Sequence, residues 1–174
     1  NYLFAKKVGG KLILRIEDTD LERSKKEFEV SQIDDLHWFG INYDEGPDKE
    51  GNFGPYRQSE RLDLYKKYAL DLVEKGLAFF CFCTDEELEL MREKALEQGR
   101  DPIYEGPWRD YSLEKAKEKI SNGETAVIRF KVPKKDFRFK DLVRGNVTFP
   151  EGMVGDFVIL RSNGMPTYNF CCVV

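Results

Sequence analysis

The chain has 174 residues, 41% of them hydrophobic and 34% charged, with a formal net charge of −4. That composition supports a core in one domain or two small ones. It holds no apolar run of about eighteen residues to cross a membrane and no signal-peptide pattern, which points to the cytosol. The acidic balance excludes a uniformly basic nucleic-acid binder. Charge is nonetheless local: Lys131, Lys134, Lys135, Arg138, Lys140 and Arg144 crowd one short span, either as a basic patch or as the solvated face of a hairpin. Cys81, Cys83, Cys171 and Cys172 suggest no disulfide framework.

Residues 2–7 read as the last turns of a helix stopped by Gly9-Gly10. Leu12, Ile13, Leu14 and Ile16 then form a nearly continuous apolar run, the pattern of a parallel strand covered on both faces. It ends in Glu17, Asp18 and Asp20. Carboxylates at the carboxyl end of a strand in an open α/β sheet stand where ligands bind, and they need a cation among them. Ser24-Lys25-Lys26-Glu27 is a capping-box pattern opening a helix that turns Phe28, Ile33 and Leu36 inward and ends at Gly40. His37, the only histidine, reads as an ordinary helical residue.

Residues 41–55 are loop-like. Tyr56-Arg57-Gln58 is extended, and Ser59 caps a helix with Leu62, Tyr65, Ala69, Leu72 and Val73 at helical spacing, closed by Gly76. Strand, helix, strand, helix suggests half of a doubly wound fold. There is no Gly-rich dinucleotide fingerprint and no phosphate-loop pattern, which argues against a dehydrogenase or a P-loop ATPase.

From Leu77 the character changes. Residues 77–83 are strand-like, Thr84-Asp85-Glu86-Glu87 caps a charged helix, and Ser112 caps a shorter one ending at Asn122-Gly123. Strands follow at 126–132, 137–142, 147–149 and 157–160, with Gly145-Asn146 and Asn163-Gly164 as hairpin turns. This reads as a separate α+β segment of residues 77 to about 164. Both ends are apolar without stop signals, which reads as a piece of a longer protein.

Arg15-Ile16-Glu17-Asp18-Thr19-Asp20, Gly54-Pro55-Tyr56-Arg57-Gln58-Ser59-Glu60-Arg61 and Gly164-Met165-Pro166-Thr167-Tyr168-Asn169-Phe170 occur in order. Together they resemble the signatures of bacterial glutamyl-tRNA synthetases, which are class I aminoacyl-tRNA synthetases. The resemblance implies an α/β fold. Residues 1–76 would be the first part of a Rossmann-like nucleotide-binding domain, 77–164 an inserted connective-peptide domain that meets the tRNA acceptor end, and 165–174 the return to the first domain, with Pro166 onward re-entering its sheet. It further implies ATP-dependent attachment of L-glutamate to its tRNA, with ATP and Mg2+ as the substrate complex and no membrane partner.

By the same resemblance Glu17 holds the substrate's α-amino group, and Tyr168, Asn169 and Cys172 line the glutamate pocket. Asp20, Arg23, Arg57, Arg61, Lys134, Lys135 and Arg144 are candidates for tRNA contact. No side chain is implied as a covalent catalyst, because in-line phosphoryl chemistry rests on positioning and charge neutralisation. Some relatives bind zinc through a Cys-x-Cys pair, a tyrosine and a further cysteine. Here Cys81, Cys83 and Tyr104 match, but Trp108 stands at the last position, so the set is incomplete and no metal site is expected. The family's two ATP-binding signatures, of His-Ile-Gly-His and Lys-Met-Ser-Lys-Ser type, are not in the chain, so these residues alone should not catalyse adenylation. The rival readings are a non-catalytic RNA-binding module and a relative that glutamylates a modified tRNA base.

Overall fold

Gly9 ends the first helix, α1 (Tyr2–Val8), because only a residue without Cβ takes its φ of 66° cheaply, and its N–H caps the carbonyls of Ala5 and Lys6. In the computed structural model, which describes residues 1–20 and 23–174, the chain divides into two compact units. One comprises Asn1–Tyr65 with Cys171–Val174, the other Lys66–Phe170.

The first unit is built on residues 12–17. This segment pairs in parallel on both sides, through bridges Ile13 to Glu45 and Ile16 to Arg57. The Leu14 N–H donates to the Glu45 carbonyl at 2.9 Å, and the Ile16 N–H to the Tyr56 carbonyl at 2.8 Å. It is less than the continuous strand expected, because its early residues bond one neighbour and its late residues the other. Nor are both faces covered: Leu12, Leu14 and Ile16 are half-buried, whereas Ile13 is exposed.

The second helix, α2 (Lys26–Trp38), starts without the anticipated capping box. Lys25 is its N-cap, with no side-chain cap, and Glu27 leans toward the Lys25 ammonium at 3.8 Å. Phe28 does not turn inward and is 49% exposed. The buried residue of this helix is Glu29. His37 stacks on Tyr43 with ring centres 5.7 Å apart.

The loop after α2 is pinned by Glu45. Its buried carboxylate accepts hydrogen bonds from the Tyr56 hydroxyl, the Lys11 ammonium and the Phe53 N–H. Burial alone would raise its pKa, but these donors together hold it below the usual carboxylate value. A Cβ on Gly51 would lie 2.1 Å from this carboxyl group, so the close approach requires glycine there.

Ser59 does not cap a helix. It lies inside a 3-10 turn, Gln58–Arg61, that leads into α3 (Leu62–Glu74). The cap comes from far along the chain, because the Asp18 carboxylate accepts from both the N–H of Ser59, at 2.8 Å, and its hydroxyl, at 2.5 Å.

In the second unit, β1 (Ala78–Cys81), β2 (Val127–Phe130) and β5 (Val158–Leu160) form an antiparallel sheet in the order β1-β2-β5. Its register shifts between Ile128 and Arg129. The capping box predicted for α4 (Asp85–Glu97) is present: the Thr84 hydroxyl accepts from the Glu87 N–H while the Glu87 carboxylate takes the Thr84 N–H. Ser112 likewise caps α5 (Leu113–Ser121).

A separate ribbon pairs β3 (Phe137–Asp141) with β4 (Gly145–Phe149). Its turn is Leu142-Val143-Arg144, one step before the expected Gly145-Asn146, because Gly145 already pairs with Asp141 and Asn146 with Lys140. The Asp141 carboxylate accepts the N–H groups of Val143 and Arg144 and so fixes the turn.

The end of the chain also departs from expectation. Pairing returns only as far as Pro166 and Thr167, beside Leu160 and Ile159. The hydroxyl of Thr167 turns back to the Val158 carbonyl, and Tyr168–Val173 coil into a helix, α6, instead of re-entering a sheet. Among the described residues no helix is long and apolar enough to cross a membrane.

Candidate functional site

The carboxyl end of residues 12–17 opens on a cleft of about 620 Å³, bounded by Arg15 to Asp18 on one side and the start of α2 on the other. Parallel pairing on both sides stops at Ile16, so the next side chains, Glu17 and Asp18, leave the paired segment there. Asp18 is committed to Ser59. Glu17 is exposed: one oxygen accepts from the Thr19 hydroxyl at 2.7 Å, and the other from the Gln58 amide at 3.4 Å. An ionised carboxylate has about four lone-pair sites, so Glu17 keeps acceptor capacity facing the cleft.

The opposite wall is ionic. Glu29 sits in the fork of Arg57, with Nε at 3.0 Å and Nη2 at 2.8 Å, and takes the Lys26 ammonium at 2.5 Å. The Arg57 hydrogen bonds lower its pKa to about 2, against the effect of burial and with help from Lys26. The same bonds, with Glu60, raise that of Arg57. Arg57 therefore serves chiefly as a strut between the 3-10 turn and α2. Arg61 is committed as well, donating to the Tyr65 hydroxyl and to the carbonyls of Pro55 and Val174. Asp20 and Arg23 bind one another at 2.5 Å, and Arg23 lines the cleft.

Helix α6 carries Tyr168 and Cys172 four residues apart, hence on one face, with Asn169 beside them. Tyr168 is 62% exposed and Cys172 is exposed. Phe170 and Cys171 are the buried residues of this helix. Within the first unit, Arg15 donates to the Cys171 carbonyl at 3.0 Å and Gln58 to the same oxygen at 3.4 Å. Burial, then the negative charge of Glu17, push the Cys171 thiol up to about 11.

In the second unit, the alternation of the β3–β4 ribbon turns Phe137, Phe139, Val147 and Phe149 to one face and Arg138 and Lys140 to the other. Lys134, Lys135, Arg138, Lys140 and Arg144 are all exposed. Arg138 pairs with Asp136 at 2.9 Å.

Cys81, Cys83 and Tyr104 do converge, the phenol lying 3.6 Å from the first sulfur and 3.8 Å from the second. Burial pushes Tyr104 and Cys83 above their usual values, which keeps both protonated. Trp108 packs its ring on Phe82 and Tyr111. Among the described residues no group of three or more His, Cys, Asp or Glu is arranged to hold a metal ion.

Sequence reasoning missed three residues of this centre. Glu29 is an unremarked glutamate in a helix and gave no signal. Arg15 lies inside the first motif but showed no partner. Gln58 lies in the second motif, yet its 1% exposure and its place between Glu17 and α6 depend on long-range contacts.

A parallel-paired kernel with carboxylates at its carboxyl end sets a cleft where open α/β folds bind their ligands. The family described as tRNA synthetases class I (E and Q), catalytic domain, matches residues 1–174, and the chain belongs to it. It is 51% identical over 175 residues to a glutamate–tRNA ligase of Symbiobacterium thermophilum, covering 100% of this chain and 36% of that protein. It is 51% identical over 176 residues to the glutamate–tRNA ligase of Geobacillus thermodenitrificans, with the same coverage. Among solved structures, a glutamate tRNA ligase from Elizabethkingia meningosepticum in complex with its amino acid superposes with a TM-score of 0.86. The two are 35% identical, over 99% of this chain and 36% of the other. The chain thus spans about a third of the length of the relatives it matches.

Proposed function

We propose that the protein carrying this chain joins L-glutamate to tRNA through a glutamyl-adenylate. The glutamate carboxylate attacks the α-phosphorus of ATP, pyrophosphate leaves, and a terminal ribose hydroxyl of the tRNA takes the acyl group. The observation that carries the reading is Glu17, an oriented carboxylate with free acceptor capacity at the mouth of a cleft, suited to the substrate's ammonium group. The family resemblance adds Tyr168, Asn169 and Cys172 as further residues for the amino acid. ATP enters as its Mg2+ complex, and the signatures that hold it are absent from these residues, so the isolated chain is inactive. In this reading the protein works in the cytoplasm.

In the same reading residues 77–164 are the connective-peptide insertion, and 1–76 with 165–174 belong to the nucleotide-binding domain. Asp20, Arg23 and the exposed Lys134, Lys135 and Arg144 approach the acceptor end of the tRNA. Arg57 and Arg61 act indirectly, by bracing the site. The exposed basic face of the β3–β4 ribbon also favours a second reading, a non-catalytic RNA-binding module.

Glutamate-dependent exchange of pyrophosphate into ATP, with and without glutamate-accepting tRNA, separates the two. Exchange that depends on glutamate and is stimulated by the tRNA supports the ligase. RNA binding without exchange in the longest natural form of the protein supports the module.

A further inference from the structure

We propose that Tyr65 and Gln58, neither of which can reach substrate, are positioning residues that aim the Glu17 carboxylate at the ammonium group of the amino acid. The inference rests on the glutamate-binding reading of Glu17 and deepens it.

The argument is one of hydrogen-bond direction. Arg61 Nε lies 3.2 Å from the Tyr65 hydroxyl. A guanidinium can only donate, so the hydroxyl oxygen accepts there and its own proton must go elsewhere. It goes to the Gln58 side-chain carbonyl, with which Tyr65 makes a short hydrogen bond. The Cys171 thiol also touches the hydroxyl, but sulfur is a weak acceptor beside an amide oxygen. Burial raises the Tyr65 pKa and keeps that proton in place.

With its carbonyl engaged, Gln58 has a single orientation left. Its NH2 group points to Glu17 Oε2 and to the Cys171 carbonyl, both at 3.4 Å. Both of those groups only accept, so the direction that starts at Arg61 is consistent to its end. Reversing the amide would set its oxygen against a carboxylate and a carbonyl at once.

The backbone reinforces the same geometry, because the Gln58 N–H donates to the Ile16 carbonyl at 3.1 Å, one residue before Glu17. Tyr65 is 0% and Gln58 1% exposed. The pair acts from behind the site and leaves the cleft-facing lone pairs of Glu17 to the ligand.

The test is Tyr65→Phe in the natural protein that carries this chain, read as KM for glutamate, KM for ATP and kcat in pyrophosphate exchange, with a thermal melt beside it. Removing the hydroxyl removes the proton that holds the amide, and a turned amide presents oxygen to Glu17. The expected result is a rise in the glutamate KM of about tenfold, the worth of one hydrogen bond to a charged group, with the ATP KM unchanged. Gln58→Glu is the second variant and serves if the first does not fold. It still accepts from Tyr65 but sets a charge beside Glu17, and is expected to raise the glutamate KM further. A variant that folds and keeps the wild-type glutamate KM overturns the proposal, as does an equal loss for glutamate and ATP that tracks a lowered melting point. Absence of exchange in the wild-type protein overturns the ligase reading itself, and this proposal with it.

Discussion

Replacing Glu29 by Gln keeps the shape of the side chain and removes the charge that Arg57 and Lys26 bind. The folded-state pKa of Glu29 is lowered from the ordinary 4.5 to about 2, first by the Arg57 hydrogen bonds. A group with a depressed folded pKa contributes stability that is fully present above its unfolded pKa and is lost as pH falls through the folded value. The whole shift corresponds to ~3 kcal/mol at ~1.4 kcal/mol per unit. Arg57 is 25% exposed and Lys26 66%, so solvent screening reduces the expected figure to ~2 kcal/mol. Urea unfolding of both proteins at pH ~7 should show that difference, and at pH ~2 the curves should approach one another as the wild-type carboxyl takes up its proton. A difference of equal size at both pH values would refute the reasoning, because it would mean that shape or packing carries the effect and the ion pair does not.

Asp156 in the second unit is buried. It accepts both from the Arg109 guanidinium and from the Val132 N–H at 2.8 Å. Asp156→Ala strands those donors and should cost ~3 kcal/mol in a denaturant melt, while Asp156→Asn, which can still accept from Val132, should cost less. The four thiols should separate by rate toward an aromatic disulfide reagent near neutral pH: exposed Cys172 fast, half-buried Cys83 slowly, and Cys81 and Cys171 only on unfolding. If Cys172 lines the glutamate pocket, added glutamate should slow its reaction alone.

What could be read from the sequence followed how local its cause is. The Thr84–Glu87 capping box, the Ser112 cap and the Gly9 stop are each decided within a few residues, and each stands where the pattern put it. Ser24 and Ser59 carry the same local signal and fail for a physical reason. The Ser59 amide and hydroxyl are claimed by Asp18, forty-one positions away, and Glu27 turns to Lys25 instead of the helix start. A capping pattern states what a segment can do when nothing distant bids for its donors.

The same distinction runs through the site. The place of Glu17 at the end of the paired segment was legible because an acid closing an apolar run is a local pattern. Its surroundings were not legible. Gln58 reads as a polar residue in a short strand until Tyr65, Arg61 and the Cys171 carbonyl are brought around it, and Glu29 reads as a surface acid until Arg57 arrives from twenty-eight positions on. Groups whose relative geometry is set by consecutive backbone, such as Glu17 and Asp18, sit in recognisable strings. The groups that hold them in place come from wherever the fold supplies a partner of the right donor or acceptor kind, so the contact itself has to be seen before they can be named.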